Sequence, residues 1–113
     1  GCQPDEMGIG PVYSIPKLLK SADLKLEDID LWELNEAFAS QVVYIRDKLG
    51  LPSDKLNVNG GSISIGHPFG ATGARLLTTA SNRLIEENGQ YAMLSACAAG
   101  AHGHAMIIKK YEG

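Results

Sequence analysis

The stretch Gly60–Arg75 constrains this chain more than any other. It reads Gly-Gly-Ser-Ile-Ser-Ile-Gly-His-Pro-Phe-Gly-Ala-Thr-Gly-Ala-Arg, with five glycines in 14 residues and a His-Pro pair at its centre. Backbone this rich in glycine reaches conformations closed to other residues and lets another backbone or a ligand come close. Proline suits the first position of a helix, where its missing N–H costs nothing. The spacing therefore predicts a helix opening at Pro68, with His67 at its N-terminus in a glycine bed. Gly70 and Gly73 thin the first two turns of that helix. Each costs roughly 1 kcal/mol against alanine inside a helix, so they predict close approach by a neighbouring backbone or a ligand. A titratable imidazole in such a setting points to chemistry more than to scaffolding.

The rest of the chain arranges itself around this stretch. Turn formers fill residues 1–15 and lead into a helix that starts near Pro11, its regular part beginning near Pro16. Val12, Ile15, Leu18 and Leu19 give it one apolar face. A short buried strand over Ile29–Leu34 follows an acidic turn region. Asn35 then stands where an N-cap belongs, before a helix running to Leu49 and ended by Gly50 and Pro52. Beyond the glycine stretch, Ala74, Leu77, Ser81 and Leu84 repeat at helical spacing, and Gly89 closes that helix. Tyr91–Cys97 and His104–Tyr111 read as strands. The turn between them, Ala98–Gly103, is too short for a parallel crossover, so the pair is antiparallel. The fold class is α/β, a mixed sheet with helices packed on it.

Composition narrows the function. The chain has 113 residues, a net charge of −3 and scattered Lys and Arg, so no basic stripe supports nucleic-acid binding. No apolar run approaches the roughly 18 residues of a membrane span. The opening residues have neither the basic nor the apolar segment of a signal peptide. Two cysteines, Cys2 and Cys97, are too few for a disulfide framework and fit a reducing compartment. His67, His102, His104 and Cys97 match no metal-ligand spacing.

Three positions carry chemistry or structure, and the residues alone leave both open. Asn35 and Glu36 sit where a strand hands over to a helix, the place where open α/β sheets put ligands; equally, Asn35 caps the helix and Glu36 answers its dipole. Cys97 enters a turn of small residues, which exposes its sulfur to backbone N–H groups; equally, it is a buried structural thiol.

Three blocks together resemble the C-terminal part of the thiolases (acetyl-CoA acyltransferases). They are Asn35-Glu36-Ala37-Phe38-Ala39; Asn57-x-x-Gly60-Gly61-x-Ile63-Ser64-x-Gly66-His67-Pro68-x-Gly70-x-Thr72-Gly73; and Cys97-x-Ala99-x-Ala101-x-Gly103. The second is long enough to be highly specific. The resemblance covers essentially the whole chain and implies roles for its residues. His67 activates a nucleophilic cysteine and helps form an oxyanion hole. Asn35 holds a water that completes that hole. Cys97 moves a proton on and off the α-carbon of acetyl-CoA. The Ala99 N–H serves a second oxyanion hole, and Ala37, Phe38 and Gly66 lie beside the CoA and acyl groups. A thiol has a pKa close enough to neutral to be tuned for proton transfer, and preorganised N–H donors suit the negative charge of Claisen chemistry. The chain departs from the family at Ala99 and Ala101, which are often glycine there, and at His102.

The resemblance also implies that the nucleophilic cysteine and the first elements of this half lie outside residues 1–113. The family's sheet order would put two absent strands between the Ile29–Leu34 and Tyr91–Cys97 strands, leaving a gap and a dependence on another segment for folding. The implied activity is thiolytic cleavage of 3-ketoacyl-CoA to acetyl-CoA and a shortened acyl-CoA, or the reverse condensation. CoA is a substrate, no cofactor or metal is needed, and the complete protein is a homo-oligomer. The implied location is the cytoplasm, or the mitochondrial matrix or peroxisome of a eukaryote. The alternatives are an acetoacetyl-CoA-specific thiolase, a non-catalytic relative that binds acyl-CoA or lipid, and a condensing ketosynthase, which Cys97 disfavours.

Overall fold

The computed structural model of the chain describes residues 1–112. Helix α1 (Gly10–Ser21) runs unbroken through Pro16 and starts six residues before the proline where regular helix was expected. Pro16 is exposed and turned away from the buried stripe of Pro11, Ile15 and Leu19, so its ring meets solvent. Strand β1 is Leu31–Leu34, α2 is Ala39–Leu49, and a single turn, α3, covers Ser62–Ile65. Helix α4 (Thr72–Glu86) leads to strands β2 (Tyr91–Ala98) and β3 (His102–Lys109).

The sheet order is β1-β2-β3. β1 pairs parallel with β2, Leu31 opposite Ala92 and Leu34 opposite Ser95. β3 returns antiparallel, with Cys97 opposite Gly103. This corrects the expected gap: no strand intervenes between β1 and β2, and the crossover through α2, α3 and α4 brings them directly together. No unpaired strand edge lies between β1 and β2.

Each face of the sheet has its own core. Trp32, Leu34 and Met93 pack with Ile15 and Leu19 of α1 and Ile45 of α2. On the opposite face Leu31, Ala92 and Leu94 pack with Leu76, Ala80 and Leu84 of α4. Strand alternation sorts these sets, and it sends Glu33 and Asn35 to the α4 face. The contact between α1 and the β2–β3 hairpin is made by two glycines. A Cβ on Gly103 would collide with the Gly10 carbonyl, and one on Gly10 would meet the His102 carbonyl. Glycine at both positions lets the helix lie directly on the strand beside Cys97.

Candidate active site

β1 delivers Asn35 to the end of the sheet. Its N–H donates to Ser95 O at 2.8 Å, adding one bond to the parallel ladder. Its side chain is buried, with the residue 1% exposed. Ser62 Oγ donates to Asn35 Oδ1 at 2.6 Å, and Arg75 Nη2 donates to Ser62 Oγ at 3.3 Å. The neighbouring Glu36 reaches the same turn. Its Oε1 accepts the Ile63 N–H at 3.2 Å and its Oε2 accepts from Asn57 Nδ2 at 3.3 Å. Asn57 also pairs with the Leu34 N–H and C=O, each at 2.8 Å. A Cβ on Gly61 would run into the Glu36 carboxylate and push it off its Ile63 and Asn57 bonds.

Asn35 is therefore no helix cap. α2 begins only at Ala39, after the extended Phe38. A phenyl ring has no acceptor, and Gln41 Oε1 accepts the Phe38 N–H at 3.3 Å instead. This leaves the Asn35 amide to the site. Ala37 and Phe38 are exposed, Phe38 by 70%.

The second half of the glycine stretch is open. Gly66 turns the chain with φ +91. His67, Pro68, Phe69 and Gly70 are all exposed, Phe69 by 90%. α4 begins at Thr72 and not at Pro68, because residues 68–71 form a turn in which the Ala71 N–H donates to Pro68 O at 2.9 Å. No group of the chain lies within 4 Å of a Cβ added at Gly70 or Gly73. Among the described residues, no neighbouring backbone of the chain makes the approach expected there. His67 Nδ1 lies 2.6 Å from Thr72 Oγ1, and Thr72 Oγ1 lies 3.2 Å from Pro68 O. With the Thr72 proton on Pro68 O, the Thr72 oxygen accepts from His67 Nδ1–H; with it on Nδ1, Nε2 carries the ring proton. The base role that the resemblance implies requires the first arrangement, which leaves the Nε2 lone pair of His67 open.

Cys97 is half-buried and unpaired. It is the penultimate residue of β2, two beyond the Ser95 that bonds Asn35. Ala99 is exposed and lacks positive φ, so alanine replaces glycine there without strain. Ala101 has φ +61, a region alanine enters at a cost of about 1–2 kcal/mol. Because β1 and β2 are parallel and α4 begins where they finish, Asn35, Cys97 and His67 lie at one end of the sheet. Among the described residues, no hydrogen bond joins these three directly, and no group of three His, Cys, Asp or Glu residues could hold a metal ion.

Two contributors escaped sequence reading: Ser62 and Arg75 were visible only as polar residues within the glycine stretch. Thr72 stood in the second block without a role. A further group braces the site from below. Arg83 of α4 is buried beneath β1, with Nη1 3.5 Å from Glu33 Oε2 and Nε 3.2 Å from Glu87 Oε2. It also donates to Trp32 O and Lys55 O. Burial pushes the Glu33 carboxyl up to about 7, against the pull of Arg83.

An α/β domain that gathers Asn-Glu, Gly-His-Pro and a cysteine at one sheet end has close counterparts. The model of the thiolase C-terminal domain matches residues 1–110. A probable 3-ketoacyl-CoA thiolase of Caenorhabditis elegans is 48% identical, over 95% of this chain and 28% of its own length. The crystal structure of human mitochondrial 3-ketoacyl-CoA thiolase in complex with CoA superposes with a TM-score of 0.95 at 47% identity, over 98% of this chain and 28% of that one. The dimeric peroxisomal thiolase of Saccharomyces cerevisiae superposes with a TM-score of 0.88 at 41% identity, again over 98% and 28%. The chain belongs to the thiolase C-terminal domain family. It spans a little over a quarter of the length of these relatives.

Proposed function

We propose that the chain is the C-terminal catalytic part of a 3-ketoacyl-CoA thiolase, working with a nucleophilic cysteine that lies outside these residues. The observation that supports this reading is the convergence at one sheet end of an oriented Asn35 amide, an open His67 Nε2 and the half-buried Cys97 thiol.

The chemistry follows from these groups. His67 Nε2 takes the proton of the nucleophilic thiol, which attacks the 3-keto carbon. The resulting Nε2–H donates to the oxyanion, together with a water held by Asn35. Cleavage of the C2–C3 bond leaves negative charge on the departing acetyl-CoA, spread onto its thioester oxygen. The Ala99 N–H answers that charge and Cys97 supplies the α-proton. CoA then displaces the acyl group from the nucleophile. Ala37, Phe38 and Gly66 border the CoA and acyl chain. CoA is a substrate and the reaction needs no cofactor. The protein works as a dimer or tetramer, in the cytoplasm or, in a eukaryote, the mitochondrial matrix or peroxisome.

The test is CoA-dependent loss of a 3-ketoacyl-CoA, catalysed by a complete thiolase carrying these 113 residues. Turnover is expected, and His67→Ala lowers kcat by about 10²–10⁴, the worth of a general base. Acyl-CoA binding without turnover would favour the non-catalytic reading.

A further inference from the structure

We propose that Ser62 and Arg75 are positioning residues that set which end of the Asn35 amide faces the reacting groups. The inference rests on the thiolase reading for what Asn35 does, and on donor counting for how it is held. A guanidinium only donates, so Ser62 Oγ accepts from Arg75 Nη2 at 3.3 Å. The single Ser62 proton is then directed to Asn35 Oδ1, 2.6 Å away. The opposite amide orientation would aim two donors at Ser62 Oγ and leave the hydroxyl proton of a buried serine without an acceptor. The network therefore locks Oδ1 inward, against the protein. Among the described residues no hydrogen bond occupies Asn35 Nδ2, so its protons are available to an acceptor in the site.

Arg75 lies one helical turn along α4 from Thr72. Thr72 fixes His67 through Nδ1, and Arg75 fixes Asn35 through Ser62. One helix end thus sets the orientations of both groups. The two residues need not touch each other to keep their relative geometry, because each is referenced to the first turn of α4. Ser62 is itself placed by the turn α3, which Glu36 anchors through the Ile63 N–H. The Asn35-Glu36 pair and the Ser62-Ile63 pair are thereby joined twice, once through each residue.

Two readouts test the relay in a complete thiolase carrying these residues. The first is NMR of the Asn35 side-chain NH₂, which needs no turnover. Ser62→Ala and Arg75→Met should shift this resonance and raise its solvent exchange about 10-fold, while Arg75→Lys, which keeps a donor, stays near wild type. The second is kinetic. Ser62→Ala should lower kcat about 10-fold, the loss typical of a partner that orients a functional group, with KM for the acyl-CoA within about twofold. Ser62→Ala added to Asn35→Ala should cost nothing further, since both act through one amide. An unchanged Asn35 resonance in both variants, or kcat losses that multiply in the double variant, would overturn the relay. A wild-type protein without turnover would remove the thiolase reading and leave the NMR result to decide the relay.

Discussion

The two ends of the Gly60–Arg75 stretch are held on opposite terms. Around Gly61 and Ser62 the backbone is buried, and three side chains converge on this turn: Asn35 and Glu36 from just beyond β1, and Arg75 from α4. Around His67 the chain is exposed, and the ring has one hydrogen-bond contact, to Thr72, and a tilted contact with the Phe69 ring. The difference separates two ways of holding a polar side chain. The Asn35 amide is locked by its own domain. The His67 imidazole has one nitrogen against Thr72, and its residue is exposed. Glycine serves the two ends differently as well. A Cβ on Gly61 would meet the Glu36 carboxylate, whereas Gly70 and Gly73 meet nothing within the chain.

Three measurements would break or sharpen this contrast. The largest effect belongs to the buried side. Glu33 titrates at about 7 in the folded chain, against 4.5 without its surroundings. Between those values the folded state holds more protons than the unfolded state, so stability falls as pH rises from about 4.5 through 7. The full loss is up to about 3 kcal/mol, at about 1.36 kcal/mol per pH unit. Denaturant midpoints at pH 5 and pH 8 should differ by less in Glu33→Gln than in wild type, and equal slopes would contradict the account. Next, Asn35→Ala should cost about 2 kcal/mol, because it strands the buried Ser62 hydroxyl, while His67→Ala should change stability by less than about 0.5 kcal/mol. Comparable losses at the two sites would erase the distinction. The glycines report with opposite signs. Gly61→Ala should destabilise by about 1–2 kcal/mol through its clash with Glu36, and Gly73→Ala should stabilise α4 by up to about 1 kcal/mol. Thermal unfolding of both variants gives the signs.

The sequence made the parts of this molecule legible where a pattern is local. Helical spacing from Ala74 located α4, and the short Ala98–Gly103 turn dictated an antiparallel hairpin. It misjudged what depends on tertiary partners. Asn35 had the residue type and position of a cap, but a partner 27 residues away took its side chain, and α2 begins at Ala39 with the Phe38 N–H on Gln41. Pro68 looked like a helix start, yet the backbone completes a turn before α4 begins at Thr72. The direct pairing of β1 with β2 was hidden because sheet order is set by a crossover of more than 50 residues. Arg75 and Ser62 gave no local signal, since their meaning lies in a donor count that exists only after folding. The candidate residues His67, Cys97 and Asn35 came from motif order, and the structure places them at one sheet end without linking them directly.

The most direct test of the proposed function concerns Cys97, to which that proposal gives the α-proton transfer. In a complete thiolase carrying these residues, wild-type protein should exchange the α-protons of acetyl-CoA with deuterium from solvent. Cys97→Ser should abolish that exchange while acylation of the nucleophile persists, because acylation runs through His67 and Asn35. Exchange at the wild-type rate in Cys97→Ser would contradict the account and remove Cys97 from proton transfer.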